Sequence, residues 1–247
     1  MNRAEKLAFR PVFIYNRLVC YRVISVKGCV SVDFDYLIKL LKILFEGVGV
    51  SLEVFFLTLL FSIPLGMLVA LGKMSHFKIL KFLINVYISI MRGTPLLLQL
   101  IFVYFGPYYI FGMTPNRFTA AIIAFSINYA AYFAEIFRGG IGSMSAGQYE
   151  AATALGYTRG QTFFRIILPQ VTKRILPACS NEVITLIKDT ALAQTIGVIE
   201  LFSLAQKQSS FQFSVMPIVV AGVFYYVMNL VLSMLFSFIE KKMNYYR

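Results

Sequence analysis

Apolar side chains in this chain of 247 residues come in long blocks. Five stretches are predominantly apolar: residues 47–72, 82–107, 117–138, 177–200 and 214–239. Each matches or exceeds the ~20 residues that cross the ~30 Å hydrocarbon core of a bilayer as a helix. Inside lipid every backbone N–H and C=O must be satisfied within the chain, and no series of ~10-residue alternating segments suggests a barrel. The pattern therefore predicts an all-α integral membrane protein of about five transmembrane helices, occupying residues 32–247. Before the first span, residues 33–46 place Leu37, Leu40, Leu41 and Leu44 at helical spacing. That amphipathic stretch predicts a short interfacial helix lying on the outer leaflet. A more polar connection, residues 139–176, separates the third and fourth spans. No repeat of 20–50 residues is visible, and five spans do not divide into the equal halves of inverted-repeat transporters.

Composition and charge sharpen this picture. The chain is 59% hydrophobic and 14% charged, against roughly 25% charged in a soluble domain. A formal charge of +12 raises the question of nucleic acid, but such a binder gathers its Lys and Arg on one solvated face or arm. Here they lie between apolar blocks, where they act as topology signals. Lys73, Lys78, Lys81, Arg138, Arg159, Arg165, Lys173, Arg174, Lys241, Lys242 and Arg247 fall on one side, whereas the opposite connections carry only Arg117 and Lys207. The long connection and the C-terminus are thus expected in the cytoplasm, with the chain multi-pass in a cell membrane. Residues 1–31 conflict with this orientation, since Arg3, Lys6, Arg10, Arg17, Arg22 and Lys27 would lie outside. Arg17 and Arg22 also interrupt any signal-peptide core. The stretch is expected to be a non-native or dispensable basic extension, with the working domain beginning near Val32. Cys20, Cys29 and Cys179 lack CxxC spacing, and His76 is a single histidine between lysines. Neither a disulfide framework nor a metal site is indicated.

The most informative stretch is QYEAATALGYT (148–158), followed by FFRIILP (163–169). A helix of small residues from Tyr149 to Leu155, ended by Gly156 as a C-cap, makes a compact knob able to seat in a groove of another protein. By composition alone it serves equally well as a helix-turn-helix connector. The pattern Glu150, Ala151, Ala152, then Gly156, then Ile166, Leu168 and Pro169 resembles the EAA loop of permease subunits in bacterial ATP-binding-cassette importers. Other strings resemble the polar amino acid branch of that family, which handles histidine, glutamine, arginine, cystine and related substrates. These are MRGTP (91–95) with Gln99, AEIFRGGI (134–141), LIKDTAL (186–192) and IGVIE (196–200). The resemblance covers residue 33 to the end. Residues 1–31 have no counterpart, and Ala191 stands where Ser is commoner.

This resemblance implies the fold of a type I importer permease working by alternating access. It implies that Tyr149, Glu150, Ala151, Ala152, Leu155 and Gly156 form a coupling helix on a cytoplasmic ATPase. It further implies a second permease subunit, identical or homologous, and an extracytoplasmic amino-acid-binding protein. The chain has no GxxxxGK phosphate loop, so ATP would bind the partner, and the chain itself is expected to be no enzyme and to carry no cofactor.

Polar groups inside the apolar blocks supply the second clue, because a charge at the bilayer centre costs at least ~2.5 kcal/mol and faces protein or water. Glu135 and Arg138 share a helix face with Asn128 and Tyr132, while Glu182, Thr185 and Asp189 follow one another along the fourth span beside Lys188. Two readings apply: these residues line a translocation path and its gate, or they form ion pairs that orient the spans. Arg92, beside the Gly93-Thr94-Pro95 break, either caps carbonyls freed by the proline or faces the path, which Gln99 would join. The rival class is an ion-coupled secondary amino acid transporter or channel using Lys188 and Asp189, active without any ATPase. A membrane-embedded enzyme has little to build on with one loop histidine.

Overall fold

A computed structural model describes residues 34–243, all helical or in short connections, with no strand among them. Residues 1–33, including the basic extension, lie outside the described residues. The elements are α1 (Phe34–Lys73), α2 (Lys78–Gly93), α3 (Leu96–Phe111), α4 (Arg117–Gly142), α5 (Ala146–Ala154) and α6 (Arg159–Gln161). A π-helical stretch (Thr162–Ile167) leads into α7 (Leu168–Asp189). A 3₁₀ stretch (Thr190–Ile196), α8 (Leu201–Gln212) and α9 (Met216–Met243) follow. Among the described residues α1, α4 and α9 are each long and apolar enough to cross a membrane, and α2 with α3 passes the same test only as a pair bent at a break.

The first departure from expectation is at the start. Residues 34–46 form no separate interfacial helix; they are the opening turns of α1, one helix of 40 residues. At 1.5 Å per residue α1 is about 60 Å long, roughly twice the hydrocarbon thickness. Leu40, Leu44 and Val48 pack against Leu201, Ala205 and Ala221, so this part of α1 is held by α8 and α9. Gly47 makes that contact possible: a Cβ there would lie 2.7 Å from Leu201 Cα. The glycine is used for close approach inside a helix and breaks nothing.

In the expected span 82–107 the break read at Gly93-Thr94-Pro95 is present, and the chain bends there by 111° between α2 and α3. Pro95 has no N–H to continue the helix and disfavours helical backbone in the residue before it. Thr94 accordingly takes φ −119, ψ 148. The fourth expected span, 177–200, overlaps α7, which begins earlier, at Leu168, and ends at Asp189, after which the chain tightens into the 3₁₀ stretch; α7 is not among the described helices long and apolar enough to cross a membrane.

The centre of the molecule is α4, which meets α1, α2, α3, α7 and the 3₁₀ stretch. Its buried residues include Ala120, Ala121, Ala124, Ala130, Ala131 and Ala134. Small side chains of this kind let membrane helices approach without any hydrophobic drive between them. On α1 the matching position is Gly66, where a Cβ would lie 2.8 Å from Phe133 Cβ and 3.0 Å from the Ala130 carbonyl.

Candidate functional site

Two places concentrate the chemistry: the helix break at Gly93-Thr94-Pro95 and the connection between α4 and α7. At the break, backbone carbonyls are left without their helical donors, and membrane-depth backbone of this kind is tolerated only where other groups satisfy it. The Gln99 amide donates to Met91 O (3.0 Å), Thr94 O (3.2 Å) and Thr94 Oγ1 (2.8 Å). Asn128, buried on α4, donates to Met91 O (3.0 Å) and to Gln99 Oε1 (2.9 Å). Thr94 Oγ1 donates back to Ile90 O (2.8 Å). The freed carbonyls of Met91 and Thr94 are therefore taken by Gln99 and Asn128, and of the two readings of Arg92 the capping one is not met. Arg92 stands with its guanidinium carbon 5.2 Å from the centre of the Tyr132 ring, a cation–π contact on the exposed side of the break.

Below the break on α4, Glu135 accepts from Arg138 Nη2 at 2.8 Å and Nε at 3.1 Å, and pairs with Lys73 at the end of α1. Lys73, counted in the sequence only as a topology signal, thus joins α1 to α4. Nothing local in the sequence marks this pair, whose members lie 62 positions apart. On α7, Asp189 accepts a 2.8 Å hydrogen bond from Tyr129 of α4. Glu182 is half-buried, and Thr185 bonds back to Asn181 O at 2.9 Å. Lys188, Thr185 and Asn181 are exposed, so α7 turns a polar face away from the rest of the chain. The candidate path residues hence divide in space: Arg92, Gln99 and Asn128 at the break, Glu135 and Arg138 toward the connection, and Glu182, Thr185, Lys188 and Asp189 along α7.

One polar centre escaped sequence reasoning. Glu200 is fully buried and caps α8, accepting from Phe202 N–H and Ser203 N–H at 2.7 Å each. It also accepts from Tyr225 on α9 (2.9 Å) and Ser51 on α1 (3.4 Å). A carboxylate at an N-cap was legible from the sequence, but its two distant partners were not.

The connection is built around α5. Its C-terminal turn closes as a Schellman motif: Tyr157 N–H donates to Ala152 O and Gly156 N–H to Thr153 O, both at 3.0 Å, with Gly156 at φ 77. Ala152 is buried, and Gln148 donates to Gln170 of α7 at 2.8 Å, so one side of α5 rests on the stretch that leads into α7. Tyr149, Glu150, Ala151, Leu155 and Gly156 are exposed on its other side, with Leu155 at 75%. Ala152 is therefore the seat of the helix and not part of its free surface. Arg174 closes the base by donating to Ser143 O at 2.6 Å, tying the start of α7 to the end of α4.

Comparison with known proteins agrees with this architecture. Residues 62–245 match the family model for the binding-protein-dependent transport system inner membrane component. The chain is 36% identical over 215 residues to the arginine transport system permease protein ArtQ of Bacillus subtilis, covering 87% of this chain and 98% of ArtQ. It is 38% identical over 206 residues to the L-cystine transport system permease protein TcyB of the same organism, covering 83% of this chain and 88% of TcyB. Among solved structures, an amino acid ABC transporter crystallised with histidines superimposes with a TM-score of 0.79 at 37% identity, over 86% of this chain and 100% of that one. The MetNI methionine ABC transporter shares the fold, with a TM-score of 0.66 at 17% identity over 85% of this chain and 99% of that chain.

Proposed function

This chain belongs to the family of binding-protein-dependent transport system inner membrane components, and from that premise we propose that it is the permease subunit of an ATP-driven importer for a polar amino acid. The substrate class rests on relatives whose names specify arginine and cystine transport. The observation that carries the coupling role is α5: a short helix closed at its C-terminus by a Schellman turn and seated through Ala152, with Tyr149, Glu150, Ala151, Leu155 and Gly156 turned outward. A separate ATPase gripping that surface would move α4 and α7 together, because Arg174 and the Gln148–Gln170 pair bind α5 and its flanks into one bracket. Rigid elements of this kind pass on motion where a loose loop would absorb it.

In this reading the connection and the C-terminus face the cytoplasm, in accord with the clustering of Lys and Arg at that end. The exposed polar face of α7 borders a path completed by a second permease chain. A binding protein delivers the amino acid to the opposite end. The break at residues 93–95, braced by Gln99 and Asn128, is the hinge near which solute passes, with Arg92, Glu135, Arg138, Glu182 and Asp189 as its charged border. ATP is bound and hydrolysed by the partner ATPase.

The test is Glu150→Lys in the reconstituted complex of permease, ATPase and binding protein. Uptake of labelled amino acid should fall to background while the permease keeps its fold and melting temperature. Intact uptake, or wild-type protein extracted in mild detergent that never brings down an ATPase, would overturn the coupling role.

A further inference from the structure

The corner between α8 and α9 carries a feature outside the residues assigned above to coupling and to the path. Phe213 is the one non-glycine residue with positive φ among the described residues, closing α8 at φ 52. Left-handed backbone at a helix end is usually left to Gly or Asn, because a Cβ is crowded there. The turn is firmly held: Ser209 Oγ donates to Ser214 O at 2.6 Å, Ser214 N–H to Ser209 O at 3.2 Å, and Met216 N–H to Ser214 Oγ at 3.2 Å. Yet the ring is not packed on the chain. Phe213 is 88% exposed, and Phe211 and Val215 flank it at 81% and 68%. A strained backbone thus presents the Phe213 ring, with that of Phe211 close by in sequence, and the other described residues leave both largely uncovered.

We propose that this corner is a membrane anchor, with Phe211 and Phe213 seated at the water–lipid boundary of the leaflet opposite the α5 connection. Residues 208–239, between Lys207 and Glu240, form a charge-free run of 32 residues. Only ~20 of these are needed to cross the hydrocarbon. Lys241 and Lys242 hold the far end of α9 among the headgroups of the other leaflet. The surplus therefore falls at the α8–α9 end, and the corner reaches the boundary where aromatic side chains collect. The helix that follows the corner, α9, likewise exposes apolar side chains along its length, among them Val219, Val223, Tyr226 and Leu230. Lipid covers such a surface at all times, whereas a soluble partner would leave both rings in water between encounters.

The chain contains no tryptophan, so Phe213→Trp introduces a single reporter into the full-length protein. In proteoliposomes of phosphatidylcholine and phosphatidylglycerol its emission should be shifted to the blue and shielded from aqueous iodide. Replacing the phosphatidylcholine by a form brominated high on the acyl chain should then cause a loss of emission. Phe211→Trp provides an independent reporter should the first variant fold poorly. Phe213→Asn, which tolerates the same backbone, should weaken the bromolipid quenching seen from Trp at 211. Emission at the position of free indole, quenched by iodide and indifferent to bromolipid, would overturn the anchor. So would indifference to bromolipid with emission that changes only on adding the binding protein or a second permease chain.

Discussion

Helices α4 and α9 are both long and apolar, and α9 is the more hydrophobic, yet 72% of the most apolar window of α4 is buried inside the chain against 6% for α9. The difference shows that apolar content reports compatibility with lipid and not position in the fold. Lipid is as apolar as leucine, so hydrophobicity gives helices no reason to associate. What draws α4 inward is its smallness and its polar inserts: alanines that admit α1, and Asn128, Tyr129 and Glu135 that bond to neighbours. On α9 the exposed side is Val219, Val223, Leu230, Val231 and Leu235, bulky groups that fill lipid well and lie outside the buried clusters of the described residues.

The sharpest way to break this comparison is to insert the same bulk in both places. Gly66 faces α4 with Phe133 Cβ and Ala130 O within 3.0 Å of where a Cβ would sit, whereas a Cβ at Gly222 of α9 meets nothing within 4 Å. Gly66→Leu should cost several kcal/mol, beyond the ~1–3 kcal/mol typical of overpacking because the obstruction includes backbone. Folded protein should be lost from size-exclusion profiles, while Gly222→Leu should elute and melt as wild type. Equal tolerance at both positions would refute the small-residue account.

The next contrast concerns carboxylates. Glu200 serves four donors in a buried site, two of them the opening N–H groups of α8, whereas Glu240 near the end of α9 accepts one 3.2 Å hydrogen bond from Ser180. Glu200→Ala should destabilise by roughly 3 kcal/mol or more, since its donors are left unpaired. Glu240→Ala should cost about 1 kcal/mol or less. Thermal unfolding in detergent measures both.

A smaller difference is expected between two asparagines. Asn128 holds the helix break through Met91 O and Gln99, while the Asn229 side-chain oxygen on α9 is buried without a hydrogen-bond partner among the described residues. Asn128→Leu should cost about 1–3 kcal/mol and depress uptake by loosening the hinge. Asn229→Leu should be neutral or mildly stabilising, because it removes an unsatisfied polar atom. If Asn128→Leu leaves uptake intact, the break is not where solute passes.

The sequence made the helical class, the break at Pro95 and the C-cap at Gly156 legible, because each depends on residues close in the chain: proline lacks a donor, and glycine accepts left-handed backbone. It also placed Gln99 and Asn128 among the candidate residues. Partners across elements stayed hidden. Lys73 and Glu135 lie 62 positions apart, Tyr129 and Asp189 lie 60 apart, and Ser51 and Glu200 lie 149 apart. Periodicity assigns a residue to a face but not to the face it meets. The same gap explains α1: the leucines at 40 and 44 do form a stripe, but whether a stripe meets lipid or α8 is decided by Leu201 and Ala205, far along the chain.

The finest contrast is between single hydroxyl groups. Tyr129 on α4 is buried and donates to Asp189, whereas Tyr226 on α9 is 67% exposed. Tyr129→Phe removes one donor and leaves ring packing unchanged, so the expected loss is about 1 kcal/mol in stability, or nearer 0.6 kcal/mol if the bond behaves like the average one between membrane helices. Tyr226→Phe should be indistinguishable from wild type. Uptake adds a reading that stability lacks. If Asp189 only orients α7 against α4, Tyr129→Phe lowers the melting temperature and leaves the apparent KM for the amino acid unchanged. If Asp189 also borders the path, freeing it from Tyr129 changes the carboxylate that solute meets, and KM moves while the Tyr226→Phe control stays fixed.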